Sequence, residues 1–278
     1  MRATGGSSWL PVSDATCGLI VLFAAASVVL VYGVRRLRSD FSPYPRVEAD
    51  GGSALLGSGV MNLAYGALQP VASACIALGV TANGVTAWSL VLGAAAGVSL
   101  WQGHLGLGAL LAMLSGVGDA VDGLVARRSG SASDAGEVLD ATVDRYVEFF
   151  FLGGLALNYA GAPWVQGLAL SALVGSFMMS YASAKAEALG VAAPRGAMRR
   201  PERAVYLTLA AALTPLTDGL RGVTPMIAAL ALVATVANAS AITRLRAVAR
   251  ESSRRLIAVG GAHDDVSKNT LSLGEERS

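Results

Sequence analysis

The chain has 278 residues, of which 54% are hydrophobic and only 14% charged; soluble domains carry about 25% charged residues. Its 33 glycines are well above ordinary usage of about 7%. These values exclude a soluble globule, a disordered chain and a disulfide-stapled secreted module, and leave an all-α, polytopic membrane protein. The net charge of +2 says little until the position of each charge is known.

A bilayer core of about 30 Å needs about 20 apolar residues in a helix. Seven runs approach that length, near 15–34, 85–102, 105–127, 137–158, 164–185, 204–217 and 223–243, the sixth of them short. The first run is followed by Arg35, Arg36 and Arg38 and preceded only by Arg2, which predicts an anchor with its N-terminus outside rather than a signal peptide. The run 60–80 carries no charge, but it contains Asn62, Gln69 and Pro70 and is less apolar than the others. It is expected to be an interfacial or half-buried helix leading into the second span. That choice puts all of the 21 Lys and Arg except Arg2 and Arg221 on the cytoplasmic side. Small-residue stretches such as Gly93–Gly97 predict close helix approach, because lipid gives helices no hydrophobic drive to associate. The polar end from Glu251 onward is expected to be a disordered extension. Three parts are therefore expected: an anchor and cytoplasmic linker over 1–59, a membrane domain over 60–250, and a tail over 251–278.

Cys17 and Cys75 are far apart in apolar settings and read as packing residues. His104 falls in an expected tight turn and His263 in the tail, so neither a metal-binding Cys/His set nor a His-based triad is expected. No nucleic-acid partner is expected.

The informative charges lie between the third and fourth spans. Asp119 and Asp122 are three apart at the end of one helix, and Asp140 and Asp144 are four apart at the start of the next. Each pair shares a helix face. A carboxylate at the centre of a span costs about 2.5–3.5 kcal/mol on insertion scales, so these four are tolerated only facing water, a metal or each other. An antiparallel pair of helices brings the two pairs together. Four apposed carboxylates repel, and divalent cations are the natural counter-charge; an all-oxygen set suits hard ions such as Mg²⁺ or Mn²⁺. Gly123 lets a ligand approach the backbone, and Arg127 can pair with phosphate. A solvated charge cluster at the membrane surface would account for Arg127, Arg128, Asp134 and Glu137. It would not account for Asp119 and Asp122 inside an apolar helix. Metal-dependent phosphoryl chemistry is the leading reading, and an ion channel or carrier is the second, because intramembrane acids also mark ion paths.

The stretch from Asp119 to Asp144 matches D-x2-D-G-x2-A-R-x8-G-x3-D-x3-D at all eight fixed positions. A chance match has a probability on the order of 10⁻⁷ to 10⁻⁸ at average residue usage. By this pattern the chain resembles the CDP-alcohol phosphatidyltransferase family, from about Asn62 to Arg250. The resemblance implies a six-helix core, a homodimer in the plasma (inner) membrane, an active site facing the cytoplasm, a CDP-diacylglycerol-type donor, a small alcohol acceptor and release of CMP. It implies two divalent ions, Mg²⁺ or Mn²⁺, held by Asp119, Asp122, Asp140 and Asp144, with Asp144 also the general base. Gly123, Ala126, Arg127, Ser133 and Gly136 would contact the CDP-lipid. The segment Thr81–Thr86 resembles the family segment that opens the first core helix and touches the nucleotide, which adds Asn83 and Thr86. Ala82 departs from the family's frequent proline, and simple helix capping is the other role open to Asn83 and Thr86.

Two later stretches resemble the branch of phosphatidylinositol phosphate and archaetidylinositol phosphate synthases. Ser180–Glu187 follows S-Y-x-x-A-[KR]-A-E and contains Lys185, while Gly196, Arg200 and Arg203 follow G-x-x-x-R-x-x-R. This implies Lys185, Arg200 and Arg203 as contacts for an acceptor phosphate, as in inositol phosphate. Ser183 stands where that branch often has a basic residue, which keeps glycerol 3-phosphate and unphosphorylated alcohols open. A basic loop touching anionic lipid is the other reading of these residues.

Overall fold

The computed structural model describes residues 13–37, 57–191, 198–217 and 224–275. Arg2, Arg38, Arg46, Arg195, Gly196 and Arg221 lie outside them. The described residues form helices and turns without a strand. In chain order the helices are α1 (Asp14–Leu37), α2 (Gly57–Ala77), α3 (Ala82–Trp101), α4 (Leu105–Arg128), α5 (Asp134–Asn158), α6 (Pro163–Ala188), α7 (Arg200–Leu213) and α8 (Pro225–Glu275), with a 3-10 turn at Thr214–Leu216.

Helices α3 to α8 form a six-helix core. Five described helices are long and apolar enough to cross a membrane: α1, α3, α4, α6 and the first part of α8 to Arg254. The other two expected spans are helical but differ in kind. Helix α5 has 25 residues, yet Asp144, Arg145 and Glu148 interrupt its apolar run. Helix α7 has only 14 residues, about 21 Å at 1.5 Å per residue, and Pro215 helps convert its continuation into the 3-10 turn. Helix α2 has 21 residues and contains Pro70; within it Gly66–Ala77 forms a shorter apolar stretch. Arg128 at the end of α4 holds it by donating to Ser73 Oγ at 2.6 Å and to the Gln69 carbonyl at 3.2 Å.

Residues 251–275 of the expected tail continue α8, which runs through 51 residues to Glu275. The chain has no proline after Pro225, so nothing there removes a backbone donor or forces a stop. A helix of that length spans about 76 Å, well over twice the bilayer core.

Small residues set the packing. Helix α3 is the central wedge: α4 packs on one side of it and α5 on the other, while α4 and α5 scarcely touch each other. A methyl group at Gly93 would lie 2.7 Å from Val147 Cγ2, and one at Gly97 would lie 2.5 Å from the Phe150 carbonyl oxygen. Gly154 faces the Gly97 carbonyl from the opposite helix. Gly97→Ala should therefore push α5 off α3 and lower thermal stability in detergent by about 1–3 kcal/mol. Gly167→Ala, at a site with no neighbour within 4 Å, should be neutral or mildly stabilising. On the far side α6 pairs with α8, where Asn238 Nδ2 donates to the Ser171 carbonyl at 2.9 Å across the interface.

The extra helix α1 docks on α4 and α7. His104, in the tight turn before α4, offers no side-chain cap to that helix. Asp14 supplies one instead, its Oδ1 accepting from the Leu107 backbone N–H at 2.8 Å. Both cysteines are free, and Cys17 is buried in α1.

Candidate active site

The wedge geometry leaves a cleft between α4 and α5 at the end of the bundle where α4 finishes. Only five residues join these helices, fewer than the spacing suggested, because Gly130 turns the chain at φ +67°. Ser133 then caps α5, its Oγ accepting from Gly136 N–H at 3.2 Å. Thr81 caps α3 in the same way through Gly84 N–H at 3.2 Å. Asn83 is therefore not the capping residue of α3, and neither is Thr86.

Three of the four aspartates expected as metal ligands come together. Oxygens of Asp119, Asp140 and Asp144 lie within 4.8 Å of one another. Asp122 is buried on the side of α3 and accepts a hydrogen bond from Thr86 Oγ1 at 2.7 Å. That bond gives Thr86 a second use the sequence did not signal: it orients a carboxylate. Three half-buried carboxylates at this range are an all-oxygen donor set, which fits Mg²⁺ or Mn²⁺ and suits neither soft nor imidazole-seeking metals.

A cavity of about 690 Å³ opens beside this cluster. Asn83, Thr86, Gly123, Ala126, Arg127, Ser133 and Gly136 all line it, together with Asp122, Asp140, Asp144 and Arg200. Asp119 lines a smaller apolar cavity of about 80 Å³ directly behind, which Asp144 and Arg200 also border. Gly123 makes room for its neighbour one turn on: a methyl group there would sit 3.1 Å from Arg127 Nη1.

The three residues expected to hold an acceptor phosphate separate. Arg200, at the first turn of α7, reaches the carboxylates: its Nη1 pairs with Asp144 Oδ2 and lies 3.7 Å from Asp119 Oδ2. Lys185 is exposed near the end of α6 and does not line the cavity. Arg203 is only 2% exposed and points away from the cavity, with Nε donating to Glu148 Oε1 at 3.0 Å and Nη1 to the Met198 carbonyl at 3.3 Å. Glu148 was not singled out by the sequence reading. Its position four residues after Asp144, inside Val147–Phe149, is the same signal of a charge in an apolar helix. Arg244 of α8 was also missed; its Nη1 donates to Ser183 Oγ at 3.0 Å.

Residues 79–252 match the family described as CDP-alcohol phosphatidyltransferase. The chain belongs to the CDP-alcohol phosphatidyltransferase family. Phosphatidylinositol phosphate synthases of Mycobacteroides abscessus and Corynebacterium glutamicum are 34% and 35% identical to it, over 50% and 53% of this chain and 65% and 69% of theirs. Phosphatidylinositol phosphate synthase of Mycobacterium tuberculosis, solved in complex with manganese and citrate, superposes with a TM-score of 0.60 at 28% identity, covering 64% of this chain and 87% of that one. The structure of that enzyme with CDP-DAG bound gives 0.59 at 27%, covering 64% and 92%. This membrane protein is thus a phosphotransferase of phospholipid synthesis.

Proposed function

We propose that this phosphatidyltransferase passes the phosphatidyl group of CDP-diacylglycerol to a phosphorylated alcohol, inositol phosphate first among them, and releases CMP. The observation that carries the reading is a single cavity in which the seven residues of the nucleotide-lipid pattern stand beside Asp122, Asp140, Asp144 and Arg200. The acceptor hydroxyl attacks the phosphorus that carries diacylglycerol, and the bond from that phosphorus to the bridging pyrophosphate oxygen breaks. Asp144 takes the hydroxyl proton. Asp119, Asp122, Asp140 and Asp144 would hold the divalent ions, which when bound would supply positive charge against the pyrophosphate. Thr86 keeps Asp122 aimed at the site. Arg127 lies along Gly123 where a guanidinium can pair with a phosphate, and Ser133 and Gly136 at the capped start of α5 line the same cavity.

Arg200 is the residue of the expected acceptor set that reaches the cavity. Support for a phosphorylated acceptor comes also from Arg244. Its guanidinium contacts Ser183, where relatives in the inositol phosphate branch often have a basic residue, and it feels the charges of Arg199 and Arg203. The reading includes a homodimer in the plasma (inner) membrane with the cavity open to the cytoplasm. Arg127, Arg128, Lys185, Arg200 and Arg244 all belong to the end of the bundle that holds the cavity, in keeping with the positive-inside rule.

The test is CMP release by purified protein from CDP-diacylglycerol with Mg²⁺ or Mn²⁺ across inositol phosphate, glycerol 3-phosphate, inositol and serine. Release with inositol phosphate, and little with inositol, is expected. Preference for an unphosphorylated alcohol would overturn the acceptor assignment, and no release with any acceptor would overturn the donor assignment as well.

A further inference from the structure

Helices α5 and α7 are joined by two ion-pair rungs of unequal character. Asp144 and Glu148 are one turn apart on α5, and Arg200 and Arg203 are one turn apart on α7. The inner rung, Arg203–Glu148, has side chains 2% and 11% exposed and an N–O distance of 3.0 Å. The outer rung, Arg200–Asp144, has side chains 36% and 15% exposed. The outer guanidinium also lies 3.7 Å from Asp119, so it sits against two of the three clustered carboxylates.

We propose that Arg200 is an exchangeable internal counter-cation of the aspartate cluster: it neutralises Asp144 and Asp119 until a divalent ion displaces it, and displacement frees the guanidinium toward the cavity. The inference rests on the reading of those aspartates as metal ligands.

The unequal burial gives the exchange its physical basis. A buried ion pair is costly to break, because either partner left alone remains a desolvated charge. The inner rung therefore stays made and keeps α7 beside α5. In the outer rung the guanidinium is partly exposed, so it loses less when water replaces its partner, while the half-buried carboxylate it leaves needs another cation in its place. The outer rung is thus the one that opens, about a base held in place one turn away. Two cations cannot occupy the same two carboxylates without repulsion, so the guanidinium and the metal compete. The competition has a use. With no metal present, Arg200 limits repulsion among three half-buried acids. With metal present, Arg200 is released into the cavity it already lines, so a positive group becomes available only in the metal-loaded state. Arg203 and Arg200 thus divide between them the work their shared motif suggested: one anchors, the other moves.

The test is Mn²⁺ binding to detergent-purified protein, read by electron paramagnetic resonance of free Mn²⁺, without CDP-lipid or acceptor. Arg200→Gln should bind Mn²⁺ about three- to tenfold more tightly than the unaltered protein, because the competing charge is gone. Arg200→Lys, which keeps the charge, should stay close to the unaltered protein. Equal or weaker binding by Arg200→Gln, with binding lost in Asp144→Asn, would overturn the counter-cation and leave the metal site standing. Unchanged binding in Asp144→Asn would overturn the metal-ligand reading on which the inference rests. A second measurement needs no variant: phenylglyoxal labelling of arginine, mapped by mass spectrometry. Added Mn²⁺ should speed labelling of Arg200 and leave Arg203 protected. Unchanged or slower labelling of Arg200 would overturn the proposal.

Discussion

Asp144→Asn is expected to lower the rate of CMP release at saturating Mn²⁺ by about 10³-fold or more while the protein stays folded. Asparagine keeps the shape of the side chain but accepts no proton at neutral pH and brings no negative charge to a cation. A positioned general base contributes about 10²–10⁴-fold, and loss of a charged ligand adds to that. The fold should survive, because the change removes one of three carboxylates whose oxygens lie within 4.8 Å of one another, which relieves repulsion as it weakens the partly exposed pair with Arg200. Steady-state kinetics beside a thermal melt in detergent separates the two effects. Retention of a tenth or more of the rate would remove Asp144 from the chemistry.

The largest effect on stability is expected one turn deeper. Arg203→Leu leaves Glu148 in a site where it is 11% exposed and has lost its partner. Breaking a buried pair by removing one member costs about 3–5 kcal/mol, which for this pair should appear as a large fall in the melting temperature. Replacing both members together, Glu148→Leu with Arg203→Met, removes the stranded charge and should recover most of the loss. A double variant as unstable as the single one would show that the pair does more than satisfy itself. If Arg203 instead contacted the acceptor phosphate directly, Arg203→Leu would raise the acceptor KM with little change in stability.

These two expectations mark the limit of what the sequence pattern carries. Arg200 and Arg203 sit in the same short motif and read alike as acceptor contacts. In space they are three residues apart on α7, facing different depths of the bundle: one is partly exposed beside Asp144, the other enclosed by α5 and Met198. Motif spacing records that both are basic, not which way the helix turns them. Helix α5 shows the same limit for the membrane. Its apolar run was legible as a span, but the acids needed by the site shorten the uninterrupted apolar stretch. The end of the chain has low hydrophobicity from Glu251 onward, and α8 continues there to Glu275 with no proline to break it.

What the sequence alone determined is the class, an all-helical membrane protein, and the four aspartates set apart in its apolar runs; the residues expected around a CDP-lipid came from the resemblance to the family. The aspartates were readable because a helix converts three- and four-residue spacing directly into a shared face, and because charge inside apolar runs is too costly to be incidental. What only the tertiary structure decided is which cations meet those aspartates and how. The link from Thr86 to Asp122, the docking of α1 through Asp14, and the two unequal rungs between α5 and α7 join residues 36, 93 and 55 or more positions apart. No local spacing encodes such pairs. They arise where helices approach closely at glycines: Gly118 against Ser89 between α4 and α3, Gly106 against Asp14 between α4 and α1, and Gly93, Gly97 and Gly154 between α3 and α5.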